Sequence, residues 1–306
     1  MSAVVTASAV LVNPRRVTSV ATLRRQLARI LSASGWPDPT WIETSPTDDG
    51  AARVRAAVAA GARVVFVCGG DGTVLAGAAA VAGTEAALAL LPSGTGNVLA
   101  LNLGIPGALV AGIRLGIDGV RRRIDLGEVD GQAFTVAAGI GFDAQMIADA
   151  PRRAKHLLGW PAYLLAALRH LGGDAFGVAV ALDDGVSFHR QVRSVVVANV
   201  GRLPGGIRLL PAAVPDDGLL DIALIAPRRL RAWAQLAGHA LTGAPLREGL
   251  ETFQARRVSI VATHSQPREI DGEQAPAGST LKVGIRPGAL LVCVPPSSNQ
   301  GTPASG

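Results

Sequence analysis

A run of apolar residues, Val64-Val65-Phe66-Val67-Cys68, stops at Gly69-Gly70-Asp71-Gly72-Thr73, and no other feature restricts the fold of the 306-residue chain as much. A continuous apolar run rich in valine suits a strand buried on both faces, as in a parallel sheet. The three glycines, carboxylate and hydroxyl behind it form a turn whose backbone can take positive φ and admit a ligand close to the main chain. A second turn of the same kind, Pro92-Ser93-Gly94-Thr95-Gly96-Asn97, follows the next apolar run, Ala86 to Leu91. Two such turns at the ends of neighbouring strands suggest a crevice that holds phosphate. Gly-Gly-Asp-Gly is also ordinary turn chemistry, in which Asp71 or Thr73 would cap the following helix.

Around these turns the chain alternates strand and helix. Val4 to Val12 is a first buried strand, and Leu23, Leu27, Ile30 and Leu31 mark one face of a helix over Thr18–Leu31. A short strand follows near Trp41–Thr44, then a helix over Ala51–Ala60, the strand Arg63–Cys68 and a helix from about Thr73. The strand Ala86–Leu91 and a helix from Asn97 complete the series. This pattern predicts a mostly parallel sheet with helices on both faces. Ligands on such sheets bind beyond the carboxyl ends of the strands, where both turns lie.

After Arg121-Arg122-Arg123 the pattern changes. Gln132–Ala138 forms a strand behind an Asp130-Gly131 turn, and Val178–Leu182 and Phe188–Val197 flank the hairpin signal Asp183-Asp184-Gly185. Further strands are expected at Leu219–Ile225, Arg257–Ala262, Leu281–Ile285 and Leu290–Val294, with helices near residues 151–171 and 228–241. The expected organisation is an α/β domain over 1–126 and a β-rich antiparallel domain over 127–294. Its last strands have the option of returning to the first domain. A Ser-, Gly- and Pro-rich tail over 295–306 is expected to be disordered.

Composition narrows the chemistry. Hydrophobic residues make up 49% of the chain and charged residues 17%, as in a globular protein. Lysine occurs only at Lys155 and Lys282, and Gly-Lys-Ser/Thr occurs nowhere, so a P-loop is excluded. Phosphoryl transfer would have to use backbone amides, arginines and a metal. The formal charge of +6 comes from arginine and suits anionic partners such as nucleotides or an acidic membrane surface. Aromatics make up 4% and do not interleave with the basic clusters, so nucleic acid is not an expected partner. Cys68 and Cys293 lie too far apart in sequence to suggest a disulfide framework or a metal site. The first cation, Arg15, follows the N-terminal apolar run, the reverse of a signal peptide, and no stretch approaches about 18 uninterrupted apolar residues. A cytoplasmic protein that touches the membrane peripherally is expected.

Taken in order, the motifs resemble the bacterial diacylglycerol kinase-like lipid kinase family, whose catalytic domain is shared with sphingosine and ceramide kinases. The matching pieces are Asn13-Pro14, Gly69 to Thr73, Pro92 to Asn97 continuing through Leu101 to Pro106, and Gly139 to Ala144. Further on come Asn199, Gly205-Gly206, Pro211, Asp216 to Asp221 and Asp271-Gly272-Glu273. The first glycine turn alone is shared with NAD kinases, and the second favours the lipid branch.

The resemblance implies a Rossmann-like ATP-binding domain of the NAD kinase/diacylglycerol kinase type and a β-rich, sandwich-like second domain. It implies ATP contacts from Thr44, Gly69, Gly70, Asp71, Gly72, Thr73, Gly94, Thr95 and Asn97. It makes Glu273 the general base that takes the proton of the acceptor hydroxyl. Asp71 would be a magnesium or water-network ligand rather than a phosphate contact, and Asp125 a further catalytic aspartate near the cleft. A separate Mg²⁺ would be held by the Asp217 carboxylate and the carbonyls of Val214 and Leu219, the hard oxygens such a cation prefers. Asp143 would join Asp125 or cap a helix. The basic, aromatic-bearing segment Pro151–Leu171 suits either a membrane interface or a core helix.

The expected activity is ATP- and Mg²⁺-dependent phosphorylation of a membrane lipid hydroxyl, with diacylglycerol as the leading acceptor. A homodimer is compatible with this family. Two departures stand out: Arg15-Arg16 follows Asn13-Pro14 where many relatives have a small residue and glycine, and Ala100 stands where many carry arginine. An NAD kinase-type enzyme with a soluble substrate and a catalytically silent lipid- or nucleotide-binding module are the alternatives.

Overall fold

The computed structural model describes residues 6–141, 175–183, 185–203, 208–227 and 248–296, with single residues between 232 and 242. The chain divides into two units. One runs to Arg123 and resumes at Leu290; the other spans Ile124–Ala289.

The first unit alternates strand and helix: β1 (Ser8–Val12), α1 (Val20–Ala33), β2 (Thr40–Glu43), α2 (Ala51–Ala59), β3 (Val64–Gly69), α3 (Asp71–Val81), β4 (Ala87–Pro92), α4 (Val98–Asn102) and α5 (Leu109–Asp118). Its strands lie parallel in the order β2-β1-β3-β4, and Leu291 and Val292 pair in parallel with Ala87 and Leu88 on the far side of β4. The continuous apolar runs follow from this position, because β1 and β3 are buried at every residue. Ser19 caps α1 by accepting the Thr22 N–H, and Leu23, Leu27 and Leu31 form its buried face. These leucines pack with Val10, Phe66, Leu91 and Ile113 into one core. Full burial of each such side chain stabilises the unit by about 1.5–3 kcal/mol. The C-terminal ends of β3 and β4 open into the two glycine turns, and that of β1 into the Asn13-Pro14 turn.

The second unit is antiparallel. It contains the end of β5 (Val120–Val129), β6 (Gln132–Phe134), β7 (Ala137–Ile140), β8 (Phe176–Leu182), β9 (Val186–Val192), β10 (Ser194–Ala198), β11 (Leu220–Ile225), β12 (Leu250–Ala255), β13 (Arg257–Ile270) and the start of β14 (Glu273–Val294). One run of strands reads β12-β11-β10-β7-β13; β13 also pairs with β14 and β8, and β8 pairs with β9. Alternate residues of β7, β8, β10, β11 and β13 point into a single core that includes Ile140, Val178, Val197, Ile222 and Ile260.

Several boundaries differ from the sequence reading. The strand expected over Gln132–Ala138 breaks at Thr135 and Val136, because the N–H groups there turn to the Asp271 carboxylate instead of a neighbouring strand. The strand expected over Phe188–Val197 divides at Arg193, whose N–H bonds to the Ile225 carbonyl. The two last strands join into β14. β12 lies outside the sequence reading, since three of its six residues, Glu251, Thr252 and Gln254, are exposed and polar and leave no continuous apolar run. The helix expected near 151–171, Asp143, Gly205-Gly206 and the tail beyond residue 296 lie outside the described residues.

Candidate functional site

In the first unit, β3 delivers Gly69 and Gly70 to the start of α3, where Asp71, Gly72 and Thr73 form the first helical turn. No side chain caps α3 at Gly70. An uncapped helix start presents unpaired N–H groups and a partial positive charge, which favour an anion. Thr73 is buried, and its hydroxyl lies 3.5 Å from the amide nitrogen of Asn13 at the end of β1. Thr44 follows β2, with its N–H bonded to the Val12 carbonyl at 2.9 Å. The expected contact residues after β2 and β3 therefore lie at the C-terminal ends of the two strands that flank β1.

The second turn meets the first through its backbone. A Cβ placed on Gly94 would stand 2.5 Å from the Gly70 Cα, so the two chains touch where neither has a side chain. Asn97, at φ 47°, holds its own turn closed: its carbonyl oxygen accepts the Gly94 N–H at 2.9 Å, and its NH₂ donates to the Gly94 carbonyl at 2.7 Å. Thr95 at the tip is exposed. The Asp71 carboxylate spans the turns. Its Oδ1 accepts the Val98 N–H at 2.7 Å and its Oδ2 the Asn97 N–H at 3.1 Å. Asp71 thus caps a helix, but the one behind the other turn. Each oxygen has further acceptor capacity.

In the second unit, Asp271, Gly272 and Glu273 form the turn between β13 and β14. Asp271 adopts φ 49° and its carboxylate accepts four hydrogen bonds: the N–H groups of Thr135, Val136 and Ala137 and the Thr135 hydroxyl. Burial pushes its pKa up, and these bonds oppose the rise. Glu273 is exposed just past this anchor and pairs with Ile270. Glu269, on the strand leading in, is 8% exposed and lies opposite Gly139. A Cβ at Gly139 would come within 3.2 Å of the Glu269 side chain, so glycine there leaves room for it. Burial, and then the Asp271 charge, push the Glu269 pKa up to about 7. Sequence inspection missed Glu269, because a Glu in a strand before a turn gives no signal of burial.

Asp125 is 2% exposed and belongs to the same polar framework. Its Oδ2 accepts the Gly218 N–H and its Oδ1 the Gly288 N–H, each at 2.7 Å, and its own N–H bonds to the Pro215 carbonyl. Fully buried Asn199 donates to the carbonyls of Asp125 and Thr135. A continuous buried chain of hydrogen bonds thus runs from the Asp271 turn through Thr135 and Asn199 to Asp125 and the loop before β11.

That loop carries Val214, Asp217 and Leu219. Asp217 Oδ1 accepts the Leu219 N–H at 2.9 Å, which folds the loop over itself. Behind it, Asp221 has one buried carboxylate oxygen without a partner; burial first, and the Asp217 charge, push its pKa up to about 6, against the Gln254 hydrogen bond. A hard cation fits this donor set, since it would offset two neighbouring carboxylates and take carbonyl oxygens. Among the described residues no three carboxylate, imidazole or thiolate side chains converge on a metal-sized site, so backbone carbonyls would have to complete the shell.

Comparison with known proteins agrees across both units. Residues 7–129 match the model of the diacylglycerol kinase catalytic domain, and residues 134–294 that of the YegS C-terminal NAD kinase beta sandwich-like domain. A Pseudomonas fluorescens protein named "probable lipid kinase YegS-like" is 34% identical over 275 residues, covering 87% of this chain and 88% of its own. A Chromohalobacter salexigens protein of the same name is 31% identical over 82% of each. Among solved structures, a diacylglycerol kinase from Bacillus anthracis has the same fold with a TM-score of 0.74 at 21% identity, covering 95% of this chain and 97% of that one. An NAD kinase from Archaeoglobus fulgidus in complex with ATP shares the fold more distantly, with a TM-score of 0.53 at 11% identity over 94% and 93%. No helix among the described residues is long and apolar enough to cross a membrane.

Proposed function

The chain belongs to the YegS-like lipid kinase family, built on the diacylglycerol kinase catalytic domain, and we propose that it transfers the γ-phosphoryl group of ATP to a lipid hydroxyl, diacylglycerol first among the acceptors. The observation that carries the donor half is the contact of the two glycine turns at Gly70 and Gly94 beside the uncapped start of α3. Backbone amides there suit the phosphates, with Thr44, Thr73 and Thr95 as hydroxyl contacts. Asp71 holds the second turn to the first through the N–H groups of Asn97 and Val98.

Glu273 is the proposed base. The acceptor oxygen attacks the γ-phosphorus, the bond to the β,γ-bridging oxygen breaks, ADP leaves, and Glu273 takes the hydroxyl proton. Asp271 fixes the turn that presents it. A magnesium ion, when bound with the triphosphate, would supply positive charge against that developing on the phosphate oxygens. A second magnesium would be held by the Asp217 carboxylate with the carbonyls of Val214 and Leu219, steadied by Asp125 through Gly218. The acceptor lies in a membrane, so the enzyme works as a peripheral, cytoplasmic protein.

The test is incubation of the purified protein with γ-labelled ATP, Mg²⁺ and a total lipid extract, followed by identification of the labelled product. A labelled phospholipid is expected, and Glu273→Gln should cut turnover by about 10²–10⁴-fold. No labelled lipid, or a Glu273→Gln rate equal to wild type, would overturn the proposal. NADP formed from NAD in a parallel reaction would favour the soluble-substrate alternative.

A further inference from the structure

We infer that Arg16 is a phosphate-binding residue of the nucleotide site, gripping the anionic end of the donor from the side of the first glycine turn. The inference rests on the ATP-dependent reading above and adds to it a residue that no glycine motif contains.

Arg16 follows β1 rather than β3, yet its Nε lies 4.0 Å from the point where a Cβ on Gly70 would stand. The Gly94 Cα is 3.7 Å from the same point. The guanidinium and the second turn therefore flank Gly70, at the uncapped end of α3. Arg16 is exposed, and its guanidinium has no hydrogen-bond or ion-pair partner among the described residues. Arg24 is engaged with Glu43, Arg25 with the Thr22 hydroxyl, Arg53 with Asp48, Arg123 with Glu85, and Arg121 with the carbonyls of Leu115, Gly116 and Gly119. The side chains of Arg15, Arg29, Arg55, Arg63 and Arg114 are as unengaged as that of Arg16 among the described residues; what sets Arg16 apart is its place beside Gly70.

The backbone that carries Arg16 is fixed while its head is free. The Asn13 N–H bonds to the Cys68 carbonyl, the Arg16 N–H to the Asn13 carbonyl, and the Asn13 side chain accepts the Arg15 N–H. Pro14 fixes φ within this turn. The side chain is thus held beside Gly70 with its donors unspent. Charge supply points the same way. Both lysines, Lys155 and Lys282, and all five histidines belong to the second unit, so this unit has only arginine to offer a polyphosphate. A guanidinium fork matches two phosphate oxygens at once and keeps its charge at any working pH.

The test is equilibrium binding of ATP, ADP and AMP, each with Mg²⁺, to the full chain and to Arg16→Ala, Arg16→Lys and Arg29→Ala. Arg29, on the later half of α1, controls for the loss of one positive charge away from the turns. Arg16→Ala should raise the Kd for ATP and ADP by about tenfold or more while AMP changes by less than about twofold. Arg16→Lys should fall between, Arg29→Ala should match wild type, and thermal midpoints should not move. In lipid phosphorylation the Arg16→Ala effect should appear in the KM for ATP. Wild-type ATP affinity in Arg16→Ala, or an equal loss for AMP, overturns the inference and leaves the kinase reading standing. A wild-type chain that binds no adenine nucleotide overturns both.

Discussion

The Asp271 carboxylate accepts the Thr135 backbone N–H at 2.8 Å and the Thr135 hydroxyl at 2.9 Å, joining positions 136 residues apart in sequence. With Val136 and Ala137 it closes four hydrogen bonds on one side chain. A carboxylate used in this way is an anchor for the Glu273 turn rather than a reactant.

Asp271→Ala would leave three backbone N–H groups and a hydroxyl without their acceptor. Each unsatisfied buried donor costs about 1–3 kcal/mol, so a total loss of about 3 kcal/mol or more is expected. Urea denaturation monitored on the full chain measures it, and an unchanged midpoint would refute the anchor role.

Glu269 makes stability depend on pH. Its pKa is raised to about 7 in the folded chain against an ordinary 4.5, so the folded state holds the proton longer than the unfolded state. Its contribution is therefore complete below about pH 4.5 and is lost as the pH rises through about 7. The loss amounts to at most about 3 kcal/mol. Asp221, raised to about 6, acts in the same direction over a lower window. Glu269→Gln should resemble wild type at pH 4.5 and be more stable at pH 8. Equal denaturation midpoints for the two proteins at pH 8 would contradict this.

Gly94→Ala tests the contact between the turns. The new methyl would meet the Gly70 Cα at 2.5 Å, and because that atom is backbone and cannot swing aside, one turn must move. Displacement of about 1 Å at a positioning element costs on the order of 10²-fold in rate. The variant should keep its circular dichroism spectrum and lose nucleotide affinity by at least about tenfold; retention of wild-type affinity would show that the contact has no role in binding.

Asp125→Asn separates bracing from chemistry. One of the two acceptors of the Gly218 and Gly288 N–H groups would become an NH₂ facing an N–H. A loss of about 2–3 kcal/mol in stability is expected. Activity should fall in step with the folded fraction across a urea series. A fully folded but inactive Asp125→Asn protein would instead assign Asp125 to the reaction.

Local patterns account for what the sequence revealed. β1, β3 and β4 announce themselves as apolar runs, the first ending at Asn13-Pro14 and the other two in glycine turns, because strands covered on both faces need no polar residue. Leu23, Leu27 and Leu31 mark α1 by spacing alone. The internal logic of the sites was hidden, because it depends on partners far apart in sequence. Asp71 looks like a cap for its own helix or a metal ligand, and only the fold shows that it reaches Asn97 and Val98. Thr135 sits in what looks like an unbroken strand, and its break comes from a carboxylate at the other end of the unit. β12 is too polar to stand out, and Arg16 reaches Gly70 only because β1 and β3 are neighbours.

Leu291 and Val292 lie beside Ala87 and Leu88, so the parallel sheet takes its final strand from residues translated some two hundred positions later. Until those residues emerge during synthesis, β4 presents a bare row of amides and carbonyls, the kind of edge on which chains aggregate. The unit translated first is thus the last to be finished, and a nascent chain holds its two glycine turns on an incomplete sheet. Closing that sheet requires a contact of long sequence separation, which slows folding. Production of the first unit by itself therefore calls for a graft of residues 290–294 after Arg123, rather than a simple cut there.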